Sequence, residues 1–248
     1  MLGITKLFHD IEKKEIKKAD EQLLLLKIVN EYQNDKELLY NLLTSESRND
    51  NFEIGVEVQP LTHRKNEGNT NLDLALGSIK TRENTISGIE LNKDKINQDF
   101  VFCEAKWKSD LSYGVTYCSI RNQLQRIIEN ALLFADKNFK GKIFVILITP
   151  KSYKDFFEMG INTRLYCYKY QEYKNNIKNT FLKELDLIEK LEKILFFNKE
   201  SKEIIKENLD KLFLNWVTFE ELIEAIPNIK NKTKIKKQYL EIDHQTNN

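Results

Sequence analysis

Residues 100–107 read FVFCEAKW, an apolar segment in which two opposite charges, Glu104 and Lys106, stand two positions apart. Successive side chains of a β-strand point to opposite faces, so these two emerge from the same face, about 7 Å from each other along the strand. Phe102 shares that face; Val101, Cys103 and Ala105 take the other. A charge buried without a partner is costly, so an apolar strand carrying both signs must supply the partners itself. Glu104 and Lys106 are candidate partners of each other, and Asp73, inside NTNLDLALG, is the third member. Three such residues can hold a divalent metal and activate water.

The pattern around the trio gives, in chain order, a helix at 36–47, strands at 52–59, 72–77 and 100–106, a helix at 118–136 and a strand at 142–149. Asp on one short strand and Glu-x-Lys on the next, set in this αβββαβ order, resembles the PD-(D/E)XK nuclease superfamily. The resemblance covers residues 35–170 and implies an α/β (α+β), restriction-endonuclease-like core: a central mixed sheet flanked by helices. Leu72 stands where the family name has proline, a position that varies in the family. Short motifs of this kind are common where 31% of residues are charged, so the weight lies in their placement on the strands. The competing expectation is a Glu104–Lys106 surface pair on an edge strand.

By this resemblance the chain is a metal-dependent endonuclease that cleaves DNA to leave a 5′-phosphate, in restriction, anti-phage defence or repair. Asp73 and Glu104 offer hard carboxylate oxygens suited to Mg²⁺ or Mn²⁺, and the backbone carbonyl of Ala105 is the further ligand the family implies. Lys106 would orient the attacking water and stabilise transition-state charge. A fourth acid often completes the family's site, from the preceding helix or strand. Glu46, near the end of the first core helix, is slightly favoured over Glu57 on the first strand. Within CSIRNQLQRIIENALLFADK, Ile120, Leu124, Ile127, Ile128 and Leu132 form the packing stripe. Gln123, outside it, is expected near the catalytic strand, and Arg121 as a phosphate clamp.

Net charge is +1, from 39 basic and 38 acidic side chains, so no global field attracts nucleic acid and binding must use local patches. His63, Arg64 and Lys65, in the turn between the first two strands, and Lys108 are the candidates near the site. NIKNKTKIKKQ, residues 228–238, reads as a solvated basic tail in preference to a track for a phosphate backbone, and residues 164–174 as the start of a strand in preference to a base-stacking surface. Nothing in the chain reads a 2′-hydroxyl, so RNA is not separated from DNA. A binding module that kept the fold without catalysis is the alternative function.

The remaining composition narrows the field. Cys103, Cys118 and Cys167 have no CxxC spacing, which disfavours zinc and fits a reducing, cytoplasmic setting. No nucleotide cofactor is expected, because no Gly-rich phosphate loop occurs. The N-terminus lacks a signal-peptide apolar region, and the longest strongly apolar run, residues 143–148, is too short for a bilayer, so no membrane partner is expected. Residues 1–34 read as a helical segment packing on the core, and residues 171–248 as a helical region with the basic tail. In the latter, Phe181, Leu185, Ile188, Leu191, Ile194 and Leu195 form a stripe that serves either the core or a homodimer.

Overall fold

A computed structural model describes residues 20–65, 68, 70–107, 110, 121–161, 164–192 and 194–244. Its helices are α1 (Asp20–Glu31), α2 (Lys36–Thr44), α3 (Gln123–Phe134), α4 (Lys151–Glu158), α5 (Leu165–Leu187, kinked at Asn176), α6 (Ser201–Asn208), α7 (Phe219–Glu224) and α8 (Ile229–His244). Its strands are β1 (Glu53–Val58), β2 (Leu72–Gly77), β3 (Ile79–Thr81), β4 (Ile89–Leu91), β5 (Phe100–Ala105), β6 (Ile143–Thr149) and β7 (Leu212–Thr218).

Five strands form one mixed sheet in the order β1-β2-β5-β6-β7, with β1, β2 and β5 antiparallel in turn and β5, β6 and β7 parallel. Parallel neighbours need a crossover. α3 supplies the first, and α4, α5 and α6 lie in the second. The sheet buries both faces. Val101, Cys103 and Ala105 of β5 pack with Phe144, Ile146 and Ile148 of β6 beneath α1, α2, α7 and α8. Phe100 and Phe102 pack with Val145 and Leu147 beneath α3 and α5. The class is therefore α/β, a mixed central sheet flanked by helices.

Alternation along the strands follows their apolar pattern except at β1. Ile54 and Val56 join the α1/α2 side, whereas Val58 joins the α3 side. Phe52, Ile54, Val56 and Val58 alternate in the sequence, but the single face that alternation would give is broken at Glu57, whose φ is +55. A left-handed residue between two extended ones turns the following side chain out of sequence, and a non-glycine residue takes that conformation at a steric cost.

Three expectations are corrected. Residues 212–218 lie inside the region expected to be wholly helical, yet form β7, so the C-terminal third contributes an edge strand to the central sheet. Their β-branched and aromatic residues, LFLNWVT, are the local reason. Residues 164–174 belong to helix α5, not to a strand: Tyr166, Tyr170 and Tyr173 recur at helical spacing and are buried together with Cys167. The basic stretch 228–238 is the body of α8 rather than a solvated tail. Ile235 and Tyr239 are buried, and the Tyr239 ring stacks on Trp107 with centroids 4.9 Å apart.

At the outer edge, Lys174 Nζ donates to Leu214 O at 2.9 Å and Lys154 Nζ to Trp216 O at 3.1 Å, so side chains occupy carbonyls of the edge strand β7 that another strand would use. Of the apolar stripe in the C-terminal third, Phe181, Leu185, Ile188 and Ile194 are buried within the chain, while Leu191 and Leu195 are exposed. Among the described residues no helix is long and apolar enough to cross a membrane.

Trp107 follows Lys106 directly and is held by Tyr239 and Phe219. Trp107→Ala is expected to destabilise the chain by about 3–5 kcal/mol, read as a lower urea midpoint, because an aromatic this deeply buried leaves a cavity.

Candidate functional site

β5 is the third of five strands, so its charged end has no solvent edge to face. Glu104 and Lys106 are 4% and 5% exposed, and Lys106 Nζ lies 2.5 Å from Glu104 Oε1. This rules out a surface pair on an edge strand. β2 runs antiparallel beside β5, with Leu74 opposite Cys103, and one step further along that register brings Asp73 next to Glu104. Asp73 Oδ2 accepts the Ala105 N–H at 2.7 Å. The main chain of β5 thus fixes the Asp73 carboxylate, while the Glu104 side chain on the same strand fixes Lys106.

Burial, and then the negative charge of Glu104, push the Asp73 carboxyl well above the usual aspartate range. Lys106 and the Ala105 N–H act in the opposite direction without cancelling the rise, and Glu57 adds to it. Two carboxylates crowded where water is scarce favour either a shared proton or a cation. The donor set fits a hard divalent ion with Asp73 and Glu104 as its carboxylate ligands. Among the described residues no group of three His, Cys, Asp or Glu side chains converges on a metal position, so the remaining ligands would be water, backbone or substrate oxygens. Ala105, whose carbonyl is the backbone candidate, adjoins Asp73 through its N–H.

Beside Glu104 opens a cleft of about 150 Å³, lined by Thr70, Asn71, Gln123, Arg126 and Ile127. The N-terminus of α3 builds one wall. Asn122 caps it, its Oδ1 accepting the Gln125 N–H at 2.9 Å, which sets Gln123 as the first helical residue at the cleft. The expected approach of Gln123 to the Glu104 strand is therefore found. Arg126, one turn on, shares its face; it is 6% exposed and donates to Gly68 O. Arg126 is the cleft residue that sequence reasoning passed over, although spacing signals it: Gln123, Arg126, Ile127 and Asn130 stand at i, i+3, i+4 and i+7.

Arg121 lies on a different face of the helix register, four and eight positions before Gln125 and Glu129. It is buried, with Nη2 2.6 Å from Glu129 Oε1, so it serves an internal ion pair, not an open phosphate clamp. Arg64 is corrected in the same way. Its Nε and Nη2 each meet a Glu129 oxygen at 2.8 Å, its Nη1 donates to Ile194 O at 2.6 Å, and its guanidinium lies 3.8 Å from the centre of the Phe196 ring. A guanidinium with no exposed surface offers nothing to a nucleic acid. His63 is half-buried and lines a separate cavity, whereas Lys65 is exposed and its N–H donates to Leu195 O. Lys108 lies outside the described residues, as does Cys118.

Of the two acids proposed to complete the site, Glu46 is placed wrongly for it. Its Oε1 meets Lys142 Nζ at 2.5 Å. Lys142 precedes Ile143, which pairs with Phe100 at the start of β5, so Glu46 sits at the opposite end of the sheet from Glu104, about 13 Å away along the strand. Glu57 is on the correct side: Val56 and Val58 pair with Leu74 and Leu72, which sets Glu57 across from Asp73. Comparison of the chain with family models, curated proteins and solved structures finds no match.

Glu129 ties the 59–71 connection to α3. Burial opposes its ionisation, but Arg121 and Arg64 outweigh that and hold its carboxyl below the ordinary glutamate value of 4.5. Because the folded value is the lower one, the contribution of the ionised group is complete above pH 4.5 and is lost as pH falls through the folded value. Glu129→Ala, which strands two buried guanidinium groups, is expected to cost about 3–5 kcal/mol in a urea titration at pH 7, with the deficit shrinking in acid.

Proposed function

We propose that the chain is a metal-dependent nuclease hydrolysing DNA phosphodiester bonds, built on a restriction-endonuclease-like core of the PD-(D/E)XK kind. The observation that carries this reading is the convergence of Asp73, Glu104 and Lys106 from two adjacent central strands, with Glu104 lining a cleft that Gln123 and Arg126 wall. Setting aside the separate β3–β4 pair inserted between β2 and β5, the order α2-β1-β2-β5-α3-β6, with the first three strands of the central sheet antiparallel and the fourth parallel, supports the same reading.

Mg²⁺ or Mn²⁺ held by Asp73 and Glu104 would supply Lewis acidity toward the phosphate and lower the pKa of water. The other roles belong to side chains. Arg126 binds a non-bridging phosphate oxygen, as a planar guanidinium does best. Gln123 donates a hydrogen bond to the phosphate from the start of α3, where the helix dipole also favours an anion. Lys106 orients the attacking water and offsets charge as it grows on phosphorus. Water oxygen bonds to phosphorus as the bond to the 3′-oxygen breaks, leaving a 3′-hydroxyl and a 5′-phosphate. Glu57, across from Asp73, is the favoured further acid, acting on site water rather than as a third side-chain ligand; its strained φ of +55 occurs beside the site, where such strain concentrates. Exposed Lys230, Lys234 and Lys237 on α8 are the basic surface available to a phosphate backbone. Cys103 and Cys167, buried as thiols rather than joined in a disulfide, accord with a cytoplasmic protein.

Plasmid, linear duplex, single-stranded DNA and RNA incubated with Mg²⁺, Mn²⁺ or EDTA test the reading directly. Metal-dependent DNA cleavage is expected, reduced at least about 100-fold in Lys106→Ala and abolished in Glu104→Gln. Cutting of RNA alone would redirect the assignment, and absence of cutting with metal-independent DNA binding would favour a binding module.

A second expectation concerns stability. The raised Asp73 carboxyl means that the folded state keeps its proton to higher pH than the unfolded chain, so ionised Asp73 disfavours folding at neutral and higher pH. In EDTA at pH 8, Asp73→Asn should raise stability by on the order of 1 kcal/mol, the scale of one pKa unit, with the gain vanishing toward pH 4. Saturating Mn²⁺ at about 100 times its dissociation constant should stabilise the wild type by about 2.7 kcal/mol and leave this variant unchanged.

A further inference from the structure

The same face of α3 that builds the Glu104 cleft lines a second, larger cavity. Arg126 and Ile127 wall the cleft, while Leu133 and Phe134, each seven positions later, wall a cavity of about 330 Å³. Seven residues are two turns, so the two openings lie about 10 Å apart along the helix. Between them the 59–71 connection is fastened to α3 by Asn130 Nδ2, which donates to Thr70 Oγ1 at 2.8 Å. Leu61 and His63 of that connection reach the cavity, and Thr70 and Asn71 reach the cleft.

The chemistry of the cavity is specific. Leu91, Leu133, Phe134 and Ile204 give apolar walls, and the volume lies at the small end of the roughly 300–1,000 Å³ typical of ligand sites. Its polar lining has two acceptor-only carboxylates, Glu90 and Asp136, beside the Lys93 ammonium and the donor–acceptor groups of His63, Asn198 and Ser201. Glu90 is held on the adjacent strand by Lys80 at 3.0 Å. Asp136, exposed at the end of α3, keeps a left-handed φ of +57. Burial pushes the His63 imidazole below its usual range, against the opposing charges of Glu129 and Asp136, so near neutral pH it is uncharged and has one donor and one acceptor nitrogen. Two carboxylates against one ammonium, that of Lys93, leave the cavity net negative, which disfavours a phosphate inside it and favours a ring that brings amino donors.

We propose that this cavity binds a nucleobase bearing an exocyclic amino group, adenine or cytosine, with the ring between the aliphatic and Phe134 walls and its amino group donating to Asp136 or Glu90. Lys93 lines the same cavity and offers its ammonium to the ribose or phosphate side of the ligand. The base has two possible sources, a free nucleoside or a nucleotide within a strand whose phosphates reach the neighbouring cleft.

Calorimetric or ligand-observed NMR titration of the full chain with adenosine, cytidine and uridine tests this. Adenosine or cytidine should bind about tenfold more tightly than uridine, the equivalent of 1.4 kcal/mol. Ile204→Trp, which fills the cavity, should weaken binding at least about tenfold. Asp136→Asn should erase the preference over uridine; Asn tolerates the left-handed conformation, so this variant tests the acceptor without disturbing the fold. Asp73→Asn and Glu104→Gln should leave nucleoside binding unchanged, which separates this site from the fate of the nuclease reading. A short oligonucleotide that outcompetes the nucleoside, and loses the advantage when one residue is made abasic, identifies a base in a strand; equal affinity identifies a free nucleoside. Absence of nucleoside binding, binding indifferent to Ile204→Trp, or uridine bound as tightly as adenosine would overturn the proposal.

Discussion

Burying β5 on both faces leaves its polar end without a solvent edge, and the contact of Lys106 with Glu104 at 2.5 Å is what makes that burial tolerable. Removing one partner of such a pair costs far more than the pair contributes over an apolar substitute, because the survivor is left charged and dry. The pair is therefore poor evidence of a stability device. A central strand that ends in two opposite charges, with Asp73 bonded to the main chain between them, is easier to understand as a site that the fold supports at some cost to itself.

The surroundings bear that cost in separable ways. On the α1/α2 side, Trp107 is clamped by Tyr239 and Phe219 directly after Lys106, so aromatic packing holds the strand end that the charges would loosen. On the α3 side, Glu129 between Arg64 and Arg121 fastens the 59–71 connection over the helix. That connection borders both the cleft and the larger cavity, so a single buried ion network sets the shape of two openings. The arginines that looked available for nucleic acid are used up in this network. Arg126 reaches the cleft in their place.

Far from the cleft, Lys142 binds Glu46 and its N–H donates to Asp99, while Tyr40 and Arg48 converge on the same aspartate. Those contacts close the start of β5 and β6, so polar groups guard both ends of the central strands but in different fashion. At the start each charge is matched by a partner on another element. At the Glu104 end two carboxylates share one ammonium, and the Asp73 carboxyl stays raised.

Local pattern was enough for the strands at 72–77, 100–106 and 142–149, because each is an uninterrupted apolar or alternating run whose side-chain period is set by backbone geometry alone. The same period put Glu104 and Lys106 on one face, and helical spacing put Gln123 off the packing stripe of α3. What the chain's pattern left open was decided by long-range packing. Residues 212–218 read as part of a helical region, and their β-branched and aromatic residues become a strand where β6 offers a partner. Residues 164–174 alternate like a strand but pack as a helix, since the tyrosines at helical spacing have a common surface to bury against. Sequence slightly favours Glu46 over Glu57; only the register of β1 against β2 puts Glu57 across from Asp73, and the end of α2 puts Glu46 about four residues of strand away. Arg64 and Arg121 read as free cations until Glu129, distant from Arg64 in the chain, comes between them. Period and spacing are properties of neighbouring residues, whereas the partner of a charge is settled only when the chain closes on itself.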